Sequence, residues 1–385
     1  MFNSILGSNQ FILKGKIEGT VGNSAVLTYW TLSNNRWEQI SHSSAVKNRH
    51  FQFKGTLKDP IRANLKIGET NIVLYIEPSK MELYIPKANS NKFILKGSKI
   101  QKDEELVLLK KQKLIEQGDE NSKRFQRNCE MLKTMLETDP NYRKLLEENE
   151  TISLRIDSIN NLMRKIEIEF LKSDPNSYHA VISNSIVVSV SQGYLSVDSA
   201  RIFFDNLAEK VRVSTEGIQT NKYIQARENT VVGKVAPDFI TPDTIGIMIK
   251  LSDFRGKSYV LLDFWASWCI PCLKGVPHVK ELYSKYRDKG LVVIGVSVDN
   301  SRDEWLSAIK KHDLKLWYNV LSTQNFEKYS QGYINSEDIS EKYPTDGVPR
   351  YILIDKSGKI IGKWDGNSEE NEKNMDKMLK EVFGE

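Results

Sequence analysis

The stretch "VLLDFWASWCIPC", residues 260–272, runs an unbroken apolar segment into two cysteines two residues apart, with a proline just before the second. An apolar run of this length reads as a strand buried on both faces. Behind it, Val276, Val279, Leu282 and Tyr286 fall on one face of a helix. "LVVIGVSVD" (291–299) is a second buried strand, followed by a helix opening near Ser301 with Trp305 and Ile309. "RYILIDKSGKIIGKW" (350–364) reads as a hairpin turning on "KSGK", with a last helix beyond Glu369. This alternation predicts an α/β domain over residues 231–385: a mostly parallel sheet, helices on both faces and an antiparallel edge hairpin.

Three chemistries compete for Cys269 and Cys272. A structural zinc needs four ligands, but the chain has no second CxxC pair and His278 has no partner histidine nearby. An inert packing pair is badly served by a strand end beside a proline. The residues favour a redox dithiol over both. The predicted helix starts near Ile270, so Cys269 meets the unpaired N–H groups of its first turn. A helix terminus contributes about 0.3–2 kcal/mol to an adjacent anion, enough to lower a thiol from about 8.5 towards about 7. Cys272 lies nearly one turn further on and is expected to be more buried. Cys269 is then the attacking sulfur and Cys272 the resolving one. Pro271 pre-sets φ in the first turn, where its missing N–H costs nothing.

The first ninety-nine residues read as a small β-sheet domain. Alternating runs at 11–17, 24–30, 50–55, 71–77 and 81–86 are separated by Gly, Asn, Ser and Pro. "FILKG" occurs at 11–15 and 93–97, and "FQFKG" at 51–55. The intervening segments do not match, so these are similar strands of one domain and not a repeat array. Residues 100–230 form an α-helical region. Its clearest stripe is Ile152, Ile156, Ile159, Met163, Ile166 and Phe170, which suits packing in a helical layer or a coiled-coil seam. Pro175 ends that helix. Cys129 lies in this region as a lone, small packing residue.

Composition narrows the function classes. A 385-residue chain with 39% hydrophobic and 27% charged residues holds two or three globular domains. A net charge of +5 from 55 basic and 50 acidic residues argues against a nucleic-acid partner. No window reaches the roughly 18 apolar residues of a membrane span. The opening "MFNSILGSNQ" lacks the basic start and apolar stretch of a secretory signal, which fits either a cytosolic protein or a processed chain.

"LLDFWASWCIPC" resembles the active site of the thioredoxin superfamily, and "VGKVAPDF" (232–239), "LSDFRGK" (251–257), "IGVSVD" (294–299) and "GVPRYILIDKSGKI" (347–360) look like its TlpA/ResA-type thiol–disulfide oxidoreductases. The upstream layout resembles an N-terminal domain of unknown function found fused to such proteins. The resemblance implies a dithiol enzyme with no cofactor and no metal. It implies that Asp263 is the buried acid relaying a proton to or from Cys272, and that Pro349 forms a cis bond after Val348, facing the disulfide. Trp268 matches the tryptophan flanking the nucleophile, and Pro277 the proline that kinks the active-site helix. An Asp satisfied by local hydrogen bonds and an ordinary trans proline remain the alternatives. One departure stands out. Such proteins commonly carry a glutamate three residues after the second cysteine, where this chain has Gly275. That puts in doubt a carry-over of the narrow cytochrome c maturation role. The segment 323–346 is longer than a minimal connection and is expected to border the active-site groove. Its Phe326, Tyr329, Tyr333 and Tyr343 either anchor it or meet a partner.

The leading function is disulfide exchange with protein substrates, in the reductive direction, although the Ile-Pro dipeptide does not fix the potential. A peroxiredoxin is disfavoured, because Leu262 and Ala266 occupy positions its active-site pattern needs. The other class is an envelope binding protein carrying a vestigial or regulatory thioredoxin-like module. The resemblance implies a periplasmic or envelope location and a membrane thiol relay as electron donor.

Overall fold

The computed structural model describes residues 9–19, 22–88, 92–136, 138–323 and 334–385. It divides into two compact units, residues 1–31 with 38–221, and residues 32–37 with 222–385.

In the first unit, strands β1 (Gln10–Ile17), β2 (Ser24–Ser33), β3 (Arg36–Ala45), β4 (His50–Thr56), β5 (Ile61–Ile67), β6 (Thr70–Ile76), β7 (Lys80–Ile85) and β8 (Ile94–Lys96) make two four-stranded sheets. Their orders are β4-β1-β7-β8 and β3-β2-β5-β6. Period-two burial along each strand sends Phe11, Leu13 and Ile17 to the same core as Leu65, Ile67 and Leu74. The β-rich region is therefore two sheets sharing one core, where the sequence suggested a single sheet. The similar pentapeptides acquire a physical reason here. β1 and β4 pair antiparallel with Phe11 opposite Gly55 and Gly15 opposite Phe51. Each phenyl ring lies over the partner glycine, so closely that a Cβ on Gly15 would fall 2.0 Å from Phe51. The two motifs cover one another's bare backbone.

Ser98 caps α1 (Lys99–Thr134) by accepting the Gln101 N–H, and Asp139 caps α2 (Pro140–Ser173), whose first residue is a proline. The two run antiparallel, with ion pairs Lys99–Asp174, Lys111–Glu167 and Arg124–Glu148 along the seam. Ile152, Ile159 and Phe170 of the apolar stripe are buried, while Ile156, Met163 and Ile166 are half-buried. Cys129 is a half-buried free thiol 3.5 Å from the Asn149 amide. Shorter helices follow: α3 (His179–Ile182), α4 (Ser185–Ser191), α5 (Val197–Asp205), α6 (Glu209–Arg212) and α7 (Thr215–Asn229). Among the described residues no helix is long and apolar enough to cross a membrane.

The second unit contains a hairpin of β9 (Ile240–Pro242) and β10 (Met248–Lys250), and a central sheet ordered β13-β12-β11-β14-β15. β11 (Tyr259–Trp265), β12 (Leu291–Ser297) and β13 (Tyr318–Leu321) are parallel. β14 (Arg350–Ile354) and β15 (Ile360–Asp365) form the antiparallel edge. The fold is thioredoxin-like α/β, as expected, with one difference. α8 (Ile270–Tyr286), α9 (Arg302–Lys311) and α11 (Glu369–Phe383) all contribute to one core, with Leu261 and Val293. The opposite face, with Leu262 and Ile294, is covered by the β9–β10 hairpin region and by α10 (Ile339–Lys342). Two successive right-handed crossovers advance in the same direction across the sheet, so α8 and α9 land on the same side.

Candidate active site

β11 is buried from Val260 to its end, so the chain leaves the sheet at a fixed point and turns through Ala266–Trp268 into α8. That turn is anchored by Asp299, just beyond β12. Its carboxylate accepts the Ser267 N–H (3.0 and 3.1 Å) and hydroxyl (2.7 Å), together with the Ser297 hydroxyl (2.6 Å). Cys269 is the N-cap of α8, with extended backbone (φ −83°, ψ 93°), and its Sγ accepts the Cys272 N–H at 3.1 Å. Cys269 and Cys272 are disulfide-bonded. Both residues are 4% exposed, so burial does not separate them as the sequence suggested. What separates them is position: Cys269 caps the helix and Cys272 lies inside its first turn. Ile270 and Trp268 flank the pair and are 67% and 64% exposed, which leaves an apolar rim around it.

Facing the disulfide is the segment before β14. The Val348–Pro349 peptide bond is cis, and the Val348 carbonyl oxygen stands 3.6 Å from Cys269 Sγ. The Pro349 carbonyl accepts the Gly366 N–H. A charge cluster holds this segment. Asp346 accepts from Tyr223 Oη (2.9 Å) and Arg227 Nη1 (2.5 Å) and stands 3.4 Å from Arg350 Nη2. Arg350, only 4% exposed, also donates to Asp365 and to the Pro344 carbonyl. Nearby Lys363 is pushed down to about 8, by burial first and then by Arg227 and Arg350.

Asp263 lies in β11, the strand that leads to the pair, and burial pushes its carboxyl up to about 7. Its register partner on β14 is Tyr351. Burial drives that phenol far above its ordinary range, with Asp263 and Glu372 adding to the effect. The expected residues Cys269, Cys272, Pro271 and Val348–Pro349 therefore gather in one place, with Trp268 at the rim and Asp263 on the strand that leads to them. Pro277 lies within α8. His278, without a histidine neighbour in sequence, pairs with Asp376 of α11 at 2.8 Å.

Sequence reasoning missed Asp299, Tyr351 and the Asp346 cluster. Tyr351 was findable, since it lies two residues after Pro349 and so points to the same side of the strand. Asp346 was not, because its partners Tyr223 and Arg227 lie more than a hundred residues upstream. Phe326, Tyr329 and Tyr333 fall outside the described residues. Tyr343 is an anchor: it is 2% exposed, packs on Phe239 and Phe264, and donates to the Pro237 carbonyl at 2.6 Å.

Residues 231–379 match the Redoxin family, and residues 11–104 match a domain of unknown function, DUF4369. The chain is 32% identical over 160 residues to the thiol-disulfide oxidoreductase ResA of Bacillus cereus, covering 42% of this chain and 83% of that protein. It is 30% identical to ResA of Bacillus subtilis over 141 residues, 37% of this chain and 71% of that protein. Among solved structures, it is similar to the thioredoxin domain of a thiol-disulfide oxidoreductase from Bacteroides vulgatus. That match has 32% identity and a TM-score of 0.33, and covers 39% of this chain and 98% of that one.

Proposed function

The chain belongs to the thioredoxin-like thiol–disulfide oxidoreductases of the ResA type, and from that membership we propose that Cys269 and Cys272 are its redox couple and that it reduces disulfides in protein substrates. The observation that carries this reading is Cys269 at the cap of α8, bonded to Cys272 and facing Val348–Pro349. In the reduced form, the Cys269 thiolate attacks one sulfur of the substrate disulfide. A mixed disulfide forms, and the other substrate sulfur leaves as a thiolate that takes a proton from water. Cys272 then passes its proton to the Asp263 carboxylate and attacks Cys269 Sγ. The second substrate thiolate departs, and two electrons have moved from the dithiol to the substrate. Asp263 suits this role because burial places its titration near neutrality.

The backbone at Val348, just ahead of β14, is the part offered to an incoming peptide, and the exposed Trp268 and Ile270 supply apolar contact around the sulfur. Pro271 fixes the first turn between the cysteines. The partners proposed are protein thiols and disulfides, with a membrane thiol relay returning electrons in the cell envelope, as the family resemblance suggests.

The test is insulin reduction followed by turbidity. Cys269→Ser is expected to abolish it, and Cys272→Ser to accumulate a mixed disulfide detectable by mass. Equal turbidity from wild type and Cys269→Ser would remove the assignment. The reduction potential of the couple then fixes the direction of electron flow.

A further inference from the structure

At Gly275, in the active helix, this chain departs from the pattern it resembles, and the structure shows what fills the space. A Cβ built on Gly275 would fall 2.8 Å from the Tyr351 hydroxyl and 3.6 Å from the Asn367 side-chain nitrogen. That approach is closer than real Cβ atoms tolerate, so a side chain at residue 275 would force the Tyr351 hydroxyl or the helix to shift. Asn367, after β15, donates to the carbonyl of Pro271 at 2.8 Å, between the two cysteines. The polar groups beside the helix therefore come from the sheet edge.

Tyr351 also belongs to the core around the centre. It is 2% exposed, shares the core that contains both cysteines, and is the register partner of Asp263. The titratable groups around it are Asp263 on β11, Cys269 and Cys272 on α8, and Glu372 on α11, with the His278–Asp376 pair further along the α8–α11 contact.

We propose that Tyr351 is a positioning residue of the redox centre: its hydroxyl occupies the flank of α8 that Gly275 leaves open and supplies the polar neighbour that keeps Asp263 able to ionise. The hydroxyl is a neutral dipole where the family pattern places a carboxylate, so the proton of Cys272 is handled by a single acid. This rests on the assignment of Asp263 as proton acceptor.

Rates of disulfide reduction by the full-length reduced protein, measured across pH 5–9, test it. In wild type the rate rises through an acid limb near pH 7. In Tyr351→Phe, checked as folded by circular dichroism, the limb moves up by about half a pH unit or more, roughly a twofold loss at pH 7, because an apolar ring favours the neutral carboxyl. Superimposable profiles overturn the proposal. A steric cycle reads the placement itself: Gly275→Ala is expected to lower the melting temperature in wild type and to do so less in Tyr351→Phe. An equal loss in both backgrounds overturns the placement while leaving the role of Asp263 standing. A limb that survives in Asp263→Asn overturns the acid assignment and the inference with it.

Discussion

The Sγ of Cys269 stands 3.6 Å from the carbonyl oxygen of Val348, a residue 79 positions later in the chain. The sulfur is thus placed between a helix terminus that favours negative charge and the segment that leads into β14. The proximity brings the Val348 side chain into the electrostatic neighbourhood of the thiol, which gives a direct handle on its acidity.

Val348→Asp adds a carboxylate to that neighbourhood. A like charge disfavours the thiolate, so the Cys269 pKa should rise by about one unit and alkylation of the reduced protein at pH 7 should slow by about fivefold. Iodoacetamide labelling across pH checks this. An unchanged labelling profile would show that the charge does not reach the sulfur.

Asp263 contributes a pH-dependent stability whose sign follows from its direction of shift. Its folded carboxyl is raised from 3.8 to about 7 by burial, so the folded state prefers the protonated form. Its stabilising contribution is complete below the unfolded pKa and is lost as pH rises through about 7. At about 1.36 kcal/mol per unit, the ionised group costs the fold on the order of 4 kcal/mol at pH 8. Asp263→Asn removes that cost. Its unfolding midpoint in urea is expected to exceed wild type at pH 8 and to converge with it near pH 4, while turnover falls.

What could be read from sequence follows a physical line. Local signals were legible: the apolar run into Cys269, the helix face Val276–Val279–Leu282–Tyr286, and the breaker Pro175 all depend on near neighbours in sequence. Positions whose meaning depends on a distant partner were not. β3 carries no buried residue and half-polar text, every position being exposed or intermediate, so it showed no clear alternation. Gly15 and Gly55 were read inside their strands, but only the register set them under Phe51 and Phe11. Gly275 read as a missing carboxylate, and only the packing of α8 against β14 set the Tyr351 hydroxyl beside it.

The Phe11–Gly55 and Phe51–Gly15 pairs make a prediction for the first unit. A Cβ on Gly15 would fall inside the Phe51 ring at 2.0 Å, and overpacking of this kind costs about 1–3 kcal/mol. Gly15→Ala should lower the urea midpoint, and adding Phe51→Leu should recover part of the loss. Additive losses would argue against direct packing between the two positions.

Asp346 neutralises two arginines next to the Val348–Pro349 segment, and both Tyr223 and Arg227 come from outside the Redoxin match but inside the same compact unit. Asp346→Asn leaves Arg227 and Arg350 facing Lys363 with one fewer carboxylate. Loss of hydrogen-bonded charge partners at partly buried sites costs about 1–3 kcal/mol. The segment's position should loosen as well, so KM for a peptide disulfide should rise more than kcat falls. A fall in kcat alone would place Asp346 in the chemistry instead.

Trp268 separates docking from reactivity. Its side chain is exposed beside the redox pair, so Trp268→Ala removes little packing and should shift stability by less than about 0.5 kcal/mol. An apolar rim matters to a partner that covers it and not to a small disulfide that only needs the sulfur. The substitution is therefore expected to lower kcat/KM for a protein substrate by about tenfold, the scale seen when one aromatic side chain is truncated at an interface, while the rate with glutathione disulfide changes by less than about twofold. Equal losses with both oxidants would mean that the indole acts on the cysteines themselves, through their acidity or potential, and the labelling profile used for Val348→Asp would then show the shift directly.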